Sequence, residues 1–261
     1  MERTNVLSRP EPTILLVHGA LTDASVWHEV ISRLHAASGN TVLAPALPMR
    51  RLADDAAYLA GLIEQVPGPV VLVGHSYAGS VVSHPAVAAG GRVAALVYVA
   101  AFQPDEGESA GELNAKYPGS QLTPENLLVT PNPLGGADLT LRPERFVEVY
   151  AADVDPVHGA AMAVSQRPVN PDVLGETFSG EPTWRSIPSW ALVSTRDLSL
   201  PPSILRFMAE RAGSRIVEVE SSHAAPVARP DAVADLILEA ARTVAASASP
   251  ATSAFTPTPT S

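Results

Sequence analysis

The sequence predicts an α/β architecture: a mainly parallel, doubly wound sheet of about six strands with flanking helices and one inserted helical lid. Three observations predict it. Short apolar runs alternate with helical patterns along most of the chain, as parallel strands joined by crossover helices require. The runs are continuous rather than polar-apolar alternations, which suits strands buried on both faces. One stretch of more than eighty residues, between Phe102 and Pro188, breaks the alternation.

Strands are read at Thr13 to Val17, Thr41 to Ala44, Val70 to Val73, Ala94 to Ala100, Trp190 to Ser194 and Arg215 to Val219. Between the first two, Val26, Trp27, Val30, Ile31 and Leu34 share one helical face, entered through Thr22, Asp23 or Ser25 and ended near Gly39-Asn40. Asp54 to Val66 repeats the pattern with Leu59, Leu62 and Ile63. A last helix follows Pro230-Asp231. The irregular stretch is rich in Pro, Gly, Asn and Asp, with helical patches at Arg145 to Ala152 and Val157 to Gln166. A structureless loop that long does not suit a compact domain, so a small helical lid is expected at about 103–188. The expected organisation is a polar N-terminal tail at 1–12, one domain at 13–245 and a disordered Ser/Thr/Pro tail at 246–261.

Composition excludes several functions. The 261 residues include no cysteine, so disulfides, thiolate metal sites and a Cys nucleophile are out. Net charge is -10, and no basic patch is longer than Arg50-Arg51, which argues against nucleic acid and against an anionic membrane surface. No run of about 18 apolar residues could span a bilayer, and the first twelve residues do not read as a signal peptide. A cytoplasmic monomer or homodimer is expected. There is no HExxH or phosphate-binding glycine motif, and His28, His35, His84 and His158 are scattered, so no metal or cofactor is expected.

The chemistry centres on Val70-Val71-Leu72-Val73-Gly74-His75-Ser76-Tyr77-Ala78-Gly79, a buried strand that turns sharply through a serine into a small-residue helix. A serine in such a turn has an exposed hydroxyl, and its flanks must be small so that strand and helix can approach. Gly74 and Ala78 meet that need, although Ala78 departs from strict GxSxG and Gly79 follows it. Ser76 is therefore the candidate nucleophile. Acyl transfer by serine also needs a base, a carboxylate that orients the base, and two oxyanion donors. His223 alone among the histidines follows the late strands, in a small-residue loop. Asp197 lies just past the fifth strand, where it can orient His223 or serve merely as an Asx turn or N-cap. Asp105, after the fourth strand, is the competing acid. Gly19 lets the backbone bend so that the Ala20 N–H joins the Tyr77 N–H as a second oxyanion donor. His18 and His75 are read as structural.

With those residues in place the chain resembles the α/β-hydrolase superfamily, and within it small bacterial esterase-like hydrolases related to plant methylesterases and hydroxynitrile lyases. The resemblance runs from Thr13 to about Ala241. It is carried by Leu16 to Ala20, Gly74 to Gly79, Tyr98 to Gly107, Thr195-Arg196-Asp197 and Ser222-His223. It implies a nucleophile elbow at Ser76, a triad of Ser76, Asp197 and His223, and oxyanion donors at Ala20 and Tyr77. Lyases of that branch carry threonine where Gly19 stands and lysine where Ala224 stands, so hydrolysis is favoured.

The expected function is a serine hydrolase cleaving a carboxylic ester or lactone through an acyl-enzyme. A cofactor-independent perhydrolase or C–C bond hydrolase could use the same triad. From another class, a non-catalytic small-molecule receptor would use only the pocket. Leu21, Tyr117, Phe146 and Trp184 are the candidate substrate-pocket residues.

Overall fold

The computed structural model describes residues 11–247. The six strands of the main sheet are β1 (Thr13–Val17), β2 (Val42–Leu43), β3 (Val70–His75), β4 (Val93–Val99), β7 (Ser189–Ser194) and β8 (Arg215–Val219). All pair in parallel, in the order β2-β1-β3-β4-β7-β8. β2 is shorter than expected because it is an edge strand and Pro45, which has no N–H, soon follows. The tails expected at 1–12 and 246–261 fall largely outside the described residues.

Strand alternation builds two apolar layers. Leu15, Val17, Val70 and Leu72 face one side, against Leu59 and Ile63 of α2 (Leu52–Gln65) and Val81 of α3 (Ala78–Ser83). Ile14, Leu16, Val71 and Val73 face the other, against Val30 and Leu34 of α1 (His28–Ala37) and Val233 and Ile237 of the helix Pro230–Ser247. Each such side chain contributes roughly 1.5–3 kcal/mol when fully buried. The central strands are thereby fixed, and so are the loops leaving their C-terminal ends. Asp23 caps the turn before α1 by accepting from the Ser25 N–H.

Between β4 and β7 lie the helices Ala110–Ala115, Pro143–Tyr150, Pro156–Val164 and Asp172–Gly175. The insertion also holds an antiparallel hairpin, β5 (Leu127–Pro131) with β6 (Ala137–Leu141), that a purely helical lid does not include. Its sequence hides it: four of the five β5 residues are exposed, so no apolar alternation marks the strand. Gly135 and Gly136, both at positive φ, close the turn. Among the described residues, no helix is long and apolar enough to cross a membrane.

Candidate active site

β1 lies between β2 and β3, so the chain order reverses at the C-terminal ends of β1 and β3. Crevices at such switch points are where open α/β sheets bind ligands. Residues His18 to Leu21 leave β1 there, and Ser76 leaves β3. Ser76 occupies the left-handed region, with φ 55°, and its carbonyl accepts from both Gly79 N at 3.0 Å and Phe102 N at 3.1 Å. A non-glycine residue in that region is strained by about 1–3 kcal/mol and persists only where its surroundings over-determine it. The close packing falls mainly on the glycines. A Cβ on Gly74 would sit 2.9 Å from the Ala78 carbonyl oxygen, and one on Gly79 only 2.0 Å from the Phe102 oxygen. Ala78 fits fully buried, so the strict requirement on the helix side lies at Gly79.

The structure brings Ser76, His223 and Asp197 together from three separate strand ends. Ser76 Oγ lies 2.8 Å from His223 Nε2, and His223 Nδ1 lies 2.6 Å from Asp197 Oδ2. The other carboxylate oxygen, Oδ1, accepts from the N–H groups of Ser199 and Leu200, both at 2.8 Å. Asp197 therefore makes an Asx-type turn with one oxygen and holds the imidazole with the other. Since a carboxylate accepts, Nδ1 carries the proton and Nε2 presents its lone pair to Ser76. Asp105 is elsewhere: both its oxygens accept from Arg185 Nη2 at 2.7 Å on the surface.

The other histidines of the site are locked as neutral rings. Leu47 N–H donates to His18 Nε2 at 3.1 Å, so His18 Nδ1–H donates to the Gly19 carbonyl at 2.9 Å. Burial lowers its pKa. His75 Nε2–H donates to the His223 carbonyl at 3.0 Å, and burial, then the nearby His223, holds its pKa well below the ordinary value. Its ring centroid is 4.9 Å from that of His223. Tyr150 packs edge-on against His223 at 4.6 Å, and its carbonyl accepts from Ala224 N. His223 is thus held on its backbone and on its ring.

Beside Ser76 opens a cavity of about 380 Å³. Ala20 and Tyr77 line it with Ser76, and their N–H groups have no acceptor among the described residues. Leu21 and Tyr117 also line it; Phe146 and Trp184 do not. Phe146 stacks behind Tyr150 at 4.9 Å, and the Trp184 indole donates to the Pro104 carbonyl at 2.9 Å. Both are large aromatics that pack the insertion onto the core, an outcome composition alone does not distinguish from a pocket wall. The wall is built instead by Phe102, Ala110, Asn114, Leu139, Val169 and Leu200, among others. Among the described residues, no Asp, Glu, Lys, Arg or His lines it. These wall residues come from segments far apart in the chain, and no local motif marks them.

Fold and site together define the class. A model of the alpha/beta hydrolase family matches residues 14–236, and the chain belongs to that family. Membership supports hydrolase activity. The chain is 26% identical over 251 residues to an alpha/beta hydrolase of Aspergillus novofumigatus, covering 88% of this chain and 97% of that protein. To a lipase of Mycobacterium tuberculosis it is 27% identical over 265 aligned positions, covering 86% and 91% respectively. The crystal structure of polyneuridine aldehyde esterase shares the fold, with a TM-score of 0.74 at 21% identity over 88% of this chain and 98% of that one.

Proposed function

We propose that this protein is a serine hydrolase that cleaves an uncharged carboxylic ester or lactone through an acyl-enzyme. The observation that carries the reading is the Ser76–His223–Asp197 hydrogen-bond chain, with contacts of 2.8 and 2.6 Å, ending beside two unengaged backbone N–H groups. His223 Nε2 takes the Ser76 proton as Oγ attacks the carbonyl carbon. The resulting oxyanion faces the Ala20 and Tyr77 N–H groups, while Asp197 stabilises the imidazolium. His223 then returns the proton to the departing alkoxide, leaving an acyl group on Ser76. In the second half, His223 takes a proton from water, the hydroxide adds to the acyl carbon, and Ser76 leaves with the proton restored.

Two features favour hydrolysis over lyase chemistry. A Cβ on Gly19 would approach Ser76 Cβ to 2.6 Å and the His75 carbonyl to 2.8 Å, so a threonine there needs a different backbone. The lining also offers no cation to stabilise a departing anion. An apolar cavity of this size suits a small to medium acyl or alcohol group. A perhydrolase or a C–C bond hydrolase would use the same relay, and a receptor would use the cavity without it. Hydrolysis of p-nitrophenyl acetate and longer esters tests the proposal. Ser76→Ala should abolish turnover above background, and an unchanged rate in that variant contradicts it.

A further inference from the structure

Asp55, on α2, is one of only two acidic residues buried as whole residues among the described residues, and the relay uses the other, Asp197. It is 0% exposed and has no ion-pair partner among those residues. Burying a carboxylate with no cation in contact is costly, and an apolar side chain of similar size would be easier to accommodate. What Asp55 holds is specific. Its Oδ2 accepts from the Tyr77 hydroxyl at 2.9 Å, and its Oδ1 accepts from the Met49 N–H at 2.9 Å. Tyr77 is itself 1% exposed and directly follows Ser76. Met49 sits at φ 61°, a strained conformation, and its carbonyl accepts from Asn170 N at 3.0 Å, next to the cavity residue Val169. Burial pushes the Asp55 carboxyl up to about 6, against the opposing pull of the Met49 and Tyr77 hydrogen bonds.

We propose that Asp55 is a positioning residue: through the Tyr77 hydroxyl it fixes the Tyr77 backbone N–H relative to Ser76 Oγ, and through Met49 it ties that donor to the cavity wall. The proposal rests on the serine-hydrolase reading, in which that N–H receives the oxyanion. A donor is effective only when held at the place the oxyanion will occupy, and misplacement by about 1 Å can cost on the order of 10²-fold. The acceptor must be charged to take both hydrogen bonds well. Asparagine at 55 offers one oxygen and turns an N–H toward one of the two donors.

The test uses the full chain as wild type, Asp55→Asn, Tyr77→Phe and the double variant, with p-nitrophenyl butyrate as substrate. Far-UV circular dichroism checks folding, and a fluorophosphonate titration run to completion counts active Ser76, so that kcat is expressed per competent site. Each single variant is expected to lower kcat about 10- to 100-fold with KM within about threefold, and the double variant to fall no further than the worse single. A kcat within about threefold of wild type in either folded single variant overturns the proposal. So does a change confined to KM, or effects that multiply in the double variant. Should Asp55→Asn fail to fold, Tyr77→Phe decides alone, since it removes only the hydroxyl. A wild-type protein that neither hydrolyses ester nor takes the probe overturns the serine reading and this proposal together; normal wild-type turnover with unaffected variants overturns only the role of Asp55.

Discussion

Replacing Asp197 by asparagine should remove the base without moving it. In the wild type, Asp197 Oδ1 accepts from two N–H groups and Oδ2 from His223 Nδ1. The asparagine oxygen must stay with Ser199 and Leu200, because the flipped amide would aim N–H at two donors. Its amide nitrogen therefore faces His223 and donates to Nδ1. The ring proton moves to Nε2, where it points at Ser76 Oγ, and no lone pair remains to take the serine proton. An equivalent change in a serine protease lowers turnover about 10⁴-fold, which corresponds to about 5.4 kcal/mol of lost transition-state stabilisation. The assay is kcat for p-nitrophenyl butyrate, with Asp105→Asn as the parallel variant. Among the described residues, the Asp105 side chain meets only the Arg185 guanidinium and the Glu106 N–H, so that variant should stay within about threefold of wild type. An Asp197→Asn protein that keeps a tenth or more of wild-type kcat refutes the argument, and a collapse confined to Asp105→Asn would reassign the acid.

Further outcomes follow from the cavity, the turn and the buried titratable groups. Because the lining carries no charge, a hexanoyl p-nitrophenyl ester should exceed the mono-p-nitrophenyl ester of adipic acid by at least about 10² in kcat/KM, and equal values would contradict the uncharged-substrate assignment. Gly79→Ala should destabilise the fold by several kcal/mol in urea unfolding, at about the overpacking limit, since its Cβ would overlap the Phe102 carbonyl oxygen. Ala78→Gly should leave kcat within about threefold and cost only about 1 kcal/mol of stability. Burial pushes the Asp55 carboxyl up to about 6 in the folded protein, above the ordinary aspartate range near 3.8, so the native state binds more protons between those values and loses stability as pH rises through them. The wild type should therefore lose about 3 kcal/mol relative to Asp55→Asn between pH 3.5 and 7.5. His75 has the opposite sign: its depressed pKa contributes stability that is present above about 6.5 and is lost as pH falls below it.

Much of this arrangement could be read from the chain because it rests on local rules. β1 and β8 carry the same residues in sequence and structure: β1 is a fully buried, mostly apolar run, and β8, an edge strand with exposed Arg215 and Glu218, is marked by the β-branched Ile216, Val217 and Val219. Ser76, Asp197 and His223 could be found because each lies just beyond such a run. Other features depend on what meets in space. Gly79, rather than Ala78, bears the tightest packing because Phe102, 23 residues later, returns its carbonyl to the turn. Phe146 looks like a pocket aromatic but stacks on Tyr150. The β5–β6 hairpin shows no alternation in β5 because neither side of that strand is buried: Leu127 is half-buried and the other four residues are exposed. Asp55 reads as one of two helical acids, Asp54-Asp55, and only the fold turns one of them inward onto Tyr77.

The central claim is that His223 makes Ser76 nucleophilic, and labelling with a fluorophosphonate followed by peptide mass spectrometry tests it most directly. One phosphonyl group per chain on Ser76 is predicted, with none on Ser76→Ala and labelling slowed by at least about 10²-fold in His223→Ala. A folded wild-type protein that stays unmodified, or that is labelled as fast without His223, would contradict it.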